Sequence, residues 1–224
     1  MMRLITLLLL CFALVGCTQE PPVFKGSPLY REGLFYAPNS TEPLTADVKE
    51  YYDSGALKGT FSLVAGSKQG LEQSWYEKGQ LKKEQTFVSG KKEGLAQHWH
   101  ENGQLRWETT FVNGWQEGLA QGWHENGQLR WETTFVNGWQ EGLEQGWHEN
   151  GQLENETTSV NGTREGLAQG WYENGQLSKE FTYVNGEAEG LSREWHENGK
   201  SKPSRCFKAG EETDMSYCTE DKQP

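Results

Sequence analysis

The sequence predicts an all-β protein, an elongated antiparallel β-meander of tandem 24-residue hairpin repeats. Three observations support this. The dipeptide Gly-Leu recurs six times from Gly70 onward, always 24 residues apart. The central repeats each carry Asn-Gly twice, and this dipeptide is a strong hairpin signal. Between the turns, apolar and polar residues alternate as in half-buried strands. A strict period of this kind indicates an array of like units.

The composition limits the classes to which this chain can belong. It has 224 residues, with 21 Lys and Arg against 32 Asp and Glu, and a formal net charge of −11. The acidic excess disfavours a nucleic-acid partner, because phosphates require neutralisation by Lys and Arg. Low aliphatic content with strong net charge is typical of disordered chains. The chain also has 10 Trp, 8 Tyr, 9 Phe and 27 Gly, which disordered chains rarely contain together.

The first residues have the pattern of an export signal. Arg3 precedes an apolar run at residues 4–13. That run is too short to span a hydrocarbon core of ~30 Å, but it has the length of a signal-peptide core. It ends in Leu14-Val15-Gly16-Cys17, which resembles a bacterial lipobox, where the cysteine thiol is diacylated before cleavage. We expect lipidation of Cys17; an ordinary signal peptide with a chance cysteine is the alternative.

The lipobox sets the expected location. A lipidated Cys17 would hold the protein on a membrane, since each buried CH₂ contributes about 0.8 kcal/mol. Thr18 follows the cysteine instead of Asp. By resemblance to Gram-negative sorting, this favours the outer membrane if the source is Gram-negative. We therefore expect a cell-envelope protein that contacts the membrane through its lipid anchor.

Two cysteines remain for the folded part of the chain. Cys11 would leave with the signal peptide and Cys17 would carry lipid. Cys206 and Cys218 then lie outside a reducing compartment, where a disulfide is the natural expectation.

The first hairpin of each unit is predicted to have a three-residue loop. Glu101-Asn102-Gly103, with Gly103 left-handed, pairs Trp99 with Leu105. A two-residue loop would instead place Trp99 on the charged side, because a one-residue slip moves every side chain to the other face. The predicted apolar face therefore comprises Leu95, Gln97, Trp99, Leu105, Trp107, Thr109 and Phe111.

The second connection is predicted to pair Phe111 with Leu119. That register sets Trp107 opposite Trp123 and, one unit on, Trp131 opposite Trp147.

The repeated pattern Glu-Gly-Leu-x-x-x-Trp-x-Glu-Asn-Gly-x-Leu resembles the variant MORN repeat of bacterial proteins. The resemblance covers about residues 44–200 and implies the repeat fold; members are often labelled as antitoxins of toxin–antitoxin systems. This chain departs from the pattern at Ser201, where Leu is expected, and at Pro203, which should fray or cap the array. The expected division is a lipoprotein signal peptide (1–16), a lipid-anchored tether (17–28), an N-terminal leader with a degenerate repeat (29–66), the variant MORN-repeat array with its C-terminal cap (67–218) and a tail (219–224).

Tryptophans are the candidate binding residues. Alternation places eight of them on the apolar face, where they form either the only core of the protein or a binding platform. Trp115 and Trp139 instead occupy the second turn, where the strand pattern does not require them. The candidate binding surface therefore comprises Trp115, Trp139, Trp99, Trp107, Trp123, Trp131 and Trp147.

The remaining polar columns are interpreted as structural. Histidines precede Glu-Asn-Gly in four units, at His100, His124, His148 and His196. Equivalent positions lie about 9.6 Å apart, two strands away, too far for one metal ion to bridge. Carboxylates such as Glu117 are taken as a solvated face. We expect no enzyme, no metal and no cofactor, because catalysis needs one preorganised pocket and not six copies of a motif.

Three functions remain open. The first is a membrane-anchored envelope lipoprotein whose repeat array binds or scaffolds an envelope protein partner. The second is a cell-wall module for carbohydrate or choline, since aromatic rings flanked by carboxylates suit a cation. The third is a cytoplasmic antitoxin-like protein, which requires the export signal to be wrong.

Overall fold

A computed structural model describes residues 20–219. Within that range the chain is almost entirely β, and one 17-stranded sheet contains the repeats. From β4 onward, the strands pair antiparallel in chain order, with β12 and β13 both paired to β11, which confirms the predicted all-β meander. The expected signal peptide and Cys17 lie outside the described residues.

The elements follow one another with short connections. In chain order they are β1 Val23–Lys25, β2 Leu29–Arg31, β3 Leu34–Tyr36, β4 Ala46–Tyr51, β5 Leu57–Val64, β6 Ser67–Trp75, β7 Leu81–Val88, β8 Lys91–Trp99, β9 Leu105–Val112, β10 Trp115–Trp123, β11 Leu129–Val136, β12 Trp139–Gln140, β13 Gly142–Trp147, β14 Leu153–Val160, β15 Thr163–Trp171, β16 Leu177–Val184, β17 Glu187–Glu194, β18 Arg205–Lys208, β19 Glu211–Thr213 and the helix α1 Ser216–Thr219.

The first hairpin has the predicted loop. Trp99 pairs with Leu105, and Gly103 has a φ of 90°. The His100 N–H donates to the Gln104 carbonyl at 2.9 Å, and the Gly103 N–H donates back to the His100 carbonyl at 3.0 Å. Glycine is required here because the loop closes through a left-handed residue.

The predicted register of the second connection is wrong. Asn113 and Gly114 form a two-residue turn with φ of 52° and 89°, so Val112 pairs with Trp115. Phe111 consequently faces Gln116 instead of Leu119. Both φ values are positive, as a type I′ turn requires, and Asn-Gly is the dipeptide that tolerates this best.

A β-bulge then shifts the register farther along the same pair of strands, β9 and β10. Glu117 still faces Thr110, but Gln121 faces Glu108, so three residues of β10 oppose one residue of β9. Gly118, the Gly of the repeated Gly-Leu, has a φ of 77° at this bulge. As a result Trp107 faces Gly122 instead of Trp123, and Trp131 likewise faces Gly146 instead of Trp147.

The bulges also change which residues share a face. Ala96 pairs with Thr109, and Leu95 pairs with Thr110 on the opposite side. The expectation that Leu95 and Gln97 share a face with Thr109 is therefore wrong. Strand β9 has one extra residue, Arg106, between the pairs His98–Trp107 and Trp99–Leu105, and a single inserted position reverses the alternation. We call the side of Thr109 the inner face and the side of Leu95 the outer face.

The inner face holds a buried row of mostly small side chains. Thr109 is 1% exposed and Ala96 is equally buried. The larger side chains of Trp107 and Phe111 flank this row on the same strand. Its buried members are Val48, Phe61, Glu72, Gln85, Ala96, Thr109, Ala120, Thr133, Thr157, Ala168 and Ser192.

Both ends of the array carry a cap. At the start, β1 pairs in parallel with β4, and Phe35 from the separate β2–β3 hairpin packs on Phe61 with ring centroids 5.9 Å apart. At the end, a disulfide joins Cys206 in β18 to Cys218 in α1, the pair that the sequence predicts, with Cα atoms 6.0 Å apart. The caps protect sheet edges that would otherwise recruit another strand.

Side chains of one unit also bond the backbone of the next. Glu117 Oε2 accepts from the Asn137 N–H of the following turn at 2.8 Å. Gln69 does the same for Ser89, also at 2.8 Å. Glu117 therefore has a structural role, and the interpretation of this carboxylate as part of a solvated face is incomplete.

The substitution Glu117→Ala is expected to lower the free energy of unfolding by about 1 kcal/mol, because it removes an acceptor from the Asn137 N–H. Glu117→Gln should retain most of the stability, since Gln69 performs this role in the first unit. Equilibrium unfolding in urea measures both. Equal losses for Ala and Gln would show that the charge, and not the hydrogen bond, stabilises the turn.

Candidate functional site

The outer face exposes apolar side chains in every unit. Trp115 in β10 is 65% exposed beside its cross-strand partner Val112 in β9, and Leu95 in β8 is 51% exposed. The aliphatic members of this surface are Val64, Leu71, Val88, Leu95, Val112, Leu119, Val136, Leu143, Val160 and Leu167. Together with Trp115 and Trp139 they form what we call the outer apolar surface.

The two exposed tryptophans each rest on a glycine of the next turn. A Cβ atom at Gly138 would lie 2.7 Å from Trp115 Cε3, and one at Gly162 would lie 2.6 Å from Trp139 Cε3. Each indole therefore lies against a neighbouring backbone while 65% and 64% of the respective residues stay exposed. The rings occupy equivalent positions about 9.6 Å apart along the sheet. Trp115 and Trp139 thus form an ordered aromatic pair on the surface.

The other candidate tryptophans are half-buried and tied into the array. Trp131 crosses Gly122, where a Cβ atom would lie 2.2 Å from its Nε1. Trp107 stacks on His98 with ring centroids 4.2 Å apart. Residues 95–118 and 119–142 differ at one position, which is His98 in the first segment and Gly122 in the second. Trp107 therefore stacks on an imidazole, whereas Trp131 lies over a glycine. The half-buried members are Trp99, Trp107, Trp123, Trp131 and Trp147.

The histidine column links units through the backbone. His124 Nε2 lies 2.7 Å from the Trp147 carbonyl oxygen, 23 residues on. Because a carbonyl only accepts, Nε2 must carry the proton. In the same place, Tyr76 donates its hydroxyl to the Trp99 carbonyl at 2.8 Å. His and Tyr can replace each other at this position because both donate a hydrogen bond to a backbone carbonyl of the next unit. The sequence alone did not show this shared role.

An open cleft of about 950 Å³ runs along these loops. His100, His124 and His148 line it together with Arg106 and Arg130. Across residues 20–219, no three His, Cys, Asp or Glu side chains come together as a metal-ligand set.

A buried charge cluster lies on the inner face of the first repeat unit, which contains β6 and β7. Glu72 accepts from Lys68 at 2.5 Å and from Lys83 at 2.9 Å, and Gln85 Nε2 also donates to it. Burial alone would raise the pKa of Glu72, but the hydrogen bonds and positive charges of the two lysines lower it below its usual value. Because the two lysines neutralise it, the Glu72 carboxylate can occupy the buried position that Ala96 and Ala120 hold in the next two units.

A second cleft of about 450 Å³ opens at β14, β15 and β16. Its lining includes Asn155 and Thr157 from β14, Trp171 from β15, and Phe181 and Tyr183 from β16. The sequence did not predict this cleft, although Asn155 stands where the preceding unit has Trp131.

None of the helices among the described residues is both long and apolar enough to cross a membrane.

Comparison with known proteins gives one clear match. The sequence profile described as MORN repeat variant matches five successive segments, residues 68–89, 92–113, 116–137, 140–161 and 164–185. No curated protein sequence matches the chain.

Among solved structures, a chain from the "Crystal structure of GtfA/B complex bound to UDP and GlcNAc" is similar over 53% of this chain and 23% of its own length. The sequence identity is 13% and the TM-score is 0.23. This chain therefore spans less than a quarter of that one.

The substitution His124→Ala is expected to cost about 1 kcal/mol of unfolding free energy, because the Trp147 carbonyl loses its donor. His124→Tyr should keep the stability, since Tyr76 and Tyr172 make the same bond in other units. Urea unfolding of the three proteins at neutral pH distinguishes them. A His124→Tyr protein as unstable as His124→Ala would contradict the shared donor role.

Acid should destabilise the array through His98. Burial first, and then the positive charges of Lys83, Lys92 and Arg106, lowers the pKa of His98 to about 4. The unfolded imidazole titrates near 6.5. The stabilisation from neutral His98 is therefore present above about pH 6.5 and lost as the pH falls toward 4.

The variant His98→Gly, which copies the next unit, should fold well and lose less stability than the wild type between pH 7 and pH 4. Thermal unfolding across that range measures the difference. Parallel pH profiles would show that His98 titrates normally in the folded protein.

Proposed function

We propose, on the premise that the chain belongs to the family of MORN repeat variants, that it is a lipid-anchored envelope protein whose repeat array binds a protein partner. An all-β repeat array of this kind is typically non-catalytic, and we propose no catalytic activity. The outer apolar surface carries the proposal.

The outer apolar surface has the character of an interaction site. Soluble proteins rarely expose contiguous apolar patches of this kind without a function. Leu95, Leu119 and Leu143 repeat at about 9.6 Å along the sheet, each roughly half exposed. A partner that follows the ribbon can therefore make the same contact in successive units, as partners of other repeat arrays do.

The aromatic pair would supply the strongest contacts. Trp115 and Trp139 are ordered by the glycines beneath them, so little conformational entropy is lost when a partner covers them. Tryptophan is enriched among the residues that dominate protein interfaces. Flanking units carry Lys91 and Thr163 at the same turn position, which confines the aromatic pair to the centre of the array.

The membrane anchor is proposed from the sequence of the first seventeen residues. The lipobox-like Leu14-Val15-Gly16-Cys17 and the Pro-containing segment after it suit a folded domain tethered to a membrane surface. Pairing of Cys206 with Cys218 suits an oxidising envelope compartment.

Replacing both exposed tryptophans, Trp115→Ser with Trp139→Ser, is expected to reduce partner capture at least tenfold without unfolding the array. In-cell crosslinking followed by purification of the chain measures the capture. The matched control is Lys91→Ser with Thr163→Ser, at the same turn position in the flanking units, and it should bind normally. Equal capture by all three proteins would overturn the role of the aromatic pair.

Deleting residues 95–142 removes two whole units and should weaken capture while leaving a folded protein. Unchanged capture would show that the individual repeats do not add to the binding of the partner.

Membrane fractionation with intact-mass measurement tests the anchor. The wild type should be lipidated and membrane-bound, and Cys17→Ala should be released. An unprocessed, soluble wild type would overturn the anchor and favour the cytoplasmic antitoxin-like alternative.

A further inference from the structure

We propose that the outer apolar surface binds a basic, proline-rich segment of its partner, in the polyproline II conformation. This inference rests on the proposed function only in placing a protein partner on that surface, and it does not depend on the membrane anchor.

A row of glutamates runs along the outer apolar surface. Glu117 pairs with Thr110, the residue that Leu95 also faces, so it lies on the outer face, between Trp115 and Leu119 along β10. One oxygen of each carboxylate in the row accepts a backbone N–H of the following turn at 2.7 or 2.8 Å. This bond holds the carboxylate beside the exposed apolar side chains. The members of this glutamate row are Glu93, Glu117, Glu141 and Glu165.

The glutamate row has no counter-ions on the protein. Within residues 20–219, none of its four carboxylates is in an ion pair. Glu108 and Glu132 share this face, and each accepts only from the amide of a neighbouring glutamine. Arg106 and Arg130 lie at the other end of their strands, at the cleft along the three-residue loops. The surface therefore combines exposed apolar groups with unpaired negative charge, and its electrostatic complement is an apolar, cationic partner.

The spacing of the units selects the conformation of the partner. Successive members of the glutamate row are two strands apart, or about 9.6 Å. A polyproline II helix has three residues per turn and rises about 3.1 Å per residue, so every third side chain points the same way at intervals of about 9.3 Å. An α-helix brings every seventh residue to the same side after about 10.5 Å, and an extended strand repeats after about 6.7 Å. Polyproline II therefore stays in register with successive units better than a helix or a strand.

The aromatic pair favours proline in the partner. Proline-rich segments dock on aromatic surfaces with little loss of entropy, because their polyproline II conformation is already formed. Trp115 and Trp139 offer two rings one unit apart, and Val112 and Val136 lie beside them. A repeating triplet can thus place proline on the apolar side chains and Lys or Arg on the glutamate row. Charge-assisted hydrogen bonds to the carboxylates would fix its register.

The test is isothermal titration of the purified full chain with a peptide of four Pro-Pro-Arg triplets. This peptide should bind with a Kd in the millimolar range or below. A peptide of four Pro-Pro-Glu triplets reverses the charge and should not bind. A peptide with the composition of the first, but with its arginines out of the three-residue period, should bind at least fivefold more weakly.

Two double variants with the same change of charge locate the peptide. Glu117→Gln with Glu141→Gln removes two charges from the glutamate row but keeps an acceptor for the turn, as Gln69 does. It should fold and weaken binding at least tenfold; two charges are removed because surface ion pairs are individually weak. Glu101→Gln with Glu125→Gln removes two charges from the three-residue loops and should bind within twofold of the wild type.

Absence of heat from the Pro-Pro-Arg peptide would overturn the proposal. Equal binding of the peptide with displaced arginines would refute the three-residue register. Equal losses in the two double variants would reduce the interaction to the net charge of the protein. Trp115→Ser with Trp139→Ser should also lose the peptide, and unchanged binding would place it elsewhere on the molecule.

Failure of this inference is distinguishable from failure of the proposed function. If the peptide does not bind while in-cell capture still depends on Trp115 and Trp139, the outer apolar surface remains the partner site and only the inferred chemistry of the partner is wrong.

Discussion

The order of the whole sheet depends on hydrogen bonds from the side chains of one unit to the backbone of the next. His124 reaches the Trp147 carbonyl, and Glu117 accepts from the Asn137 N–H. Each such bond contributes only about 0.5–1.5 kcal/mol, but the contacts recur in almost every unit. They fix how consecutive hairpins join in a chain that is poor in aliphatic residues. A packed apolar cluster forms at the N-terminal end, around Val48, Phe61 and Leu63.

Local turn chemistry made much of the fold predictable. Asn102-Gly103 closes the predicted three-residue loop. The same dipeptide at Asn113-Gly114 closes a two-residue turn, for which the predicted register was wrong. The pairing of Trp99 with Leu105 followed from the first loop. The extra residue Arg106 in β9, between the pairs Trp99–Leu105 and His98–Trp107, was not predicted, and it places Leu95 on the opposite face from Thr109. The bulge at Gly118 was predictable, because a glycine inside a strand is a recognised sign of one.

The candidate site was predictable only in part. Trp115 and Trp139 stood out because the predicted strand pattern does not require them, and both are exposed. Their predicted place in the second turn is wrong, because they are the first residues of β10 and β12 and pair with Val112 and Val136. The exposed leucines could not be assigned to the outer face from the sequence. Alternation with a period of two assigns a residue to one face only when the register of the strands is known. The cleft at β14, β15 and β16 could not be predicted, because three strands supply its lining and their register must be known before those residues come together.

The links between units all run one way. His148 and Asn150 donate to backbone atoms of the unit that follows, and Glu141 accepts from it. The array therefore has a head and a tail, and its polarity matches the order in which the chain is synthesised. A hairpin that has already formed offers its side chains to the next one as it emerges. The disulfide between Cys206 and Cys218 lies at the tail of the array, so this cap closes only after the last repeat has been made.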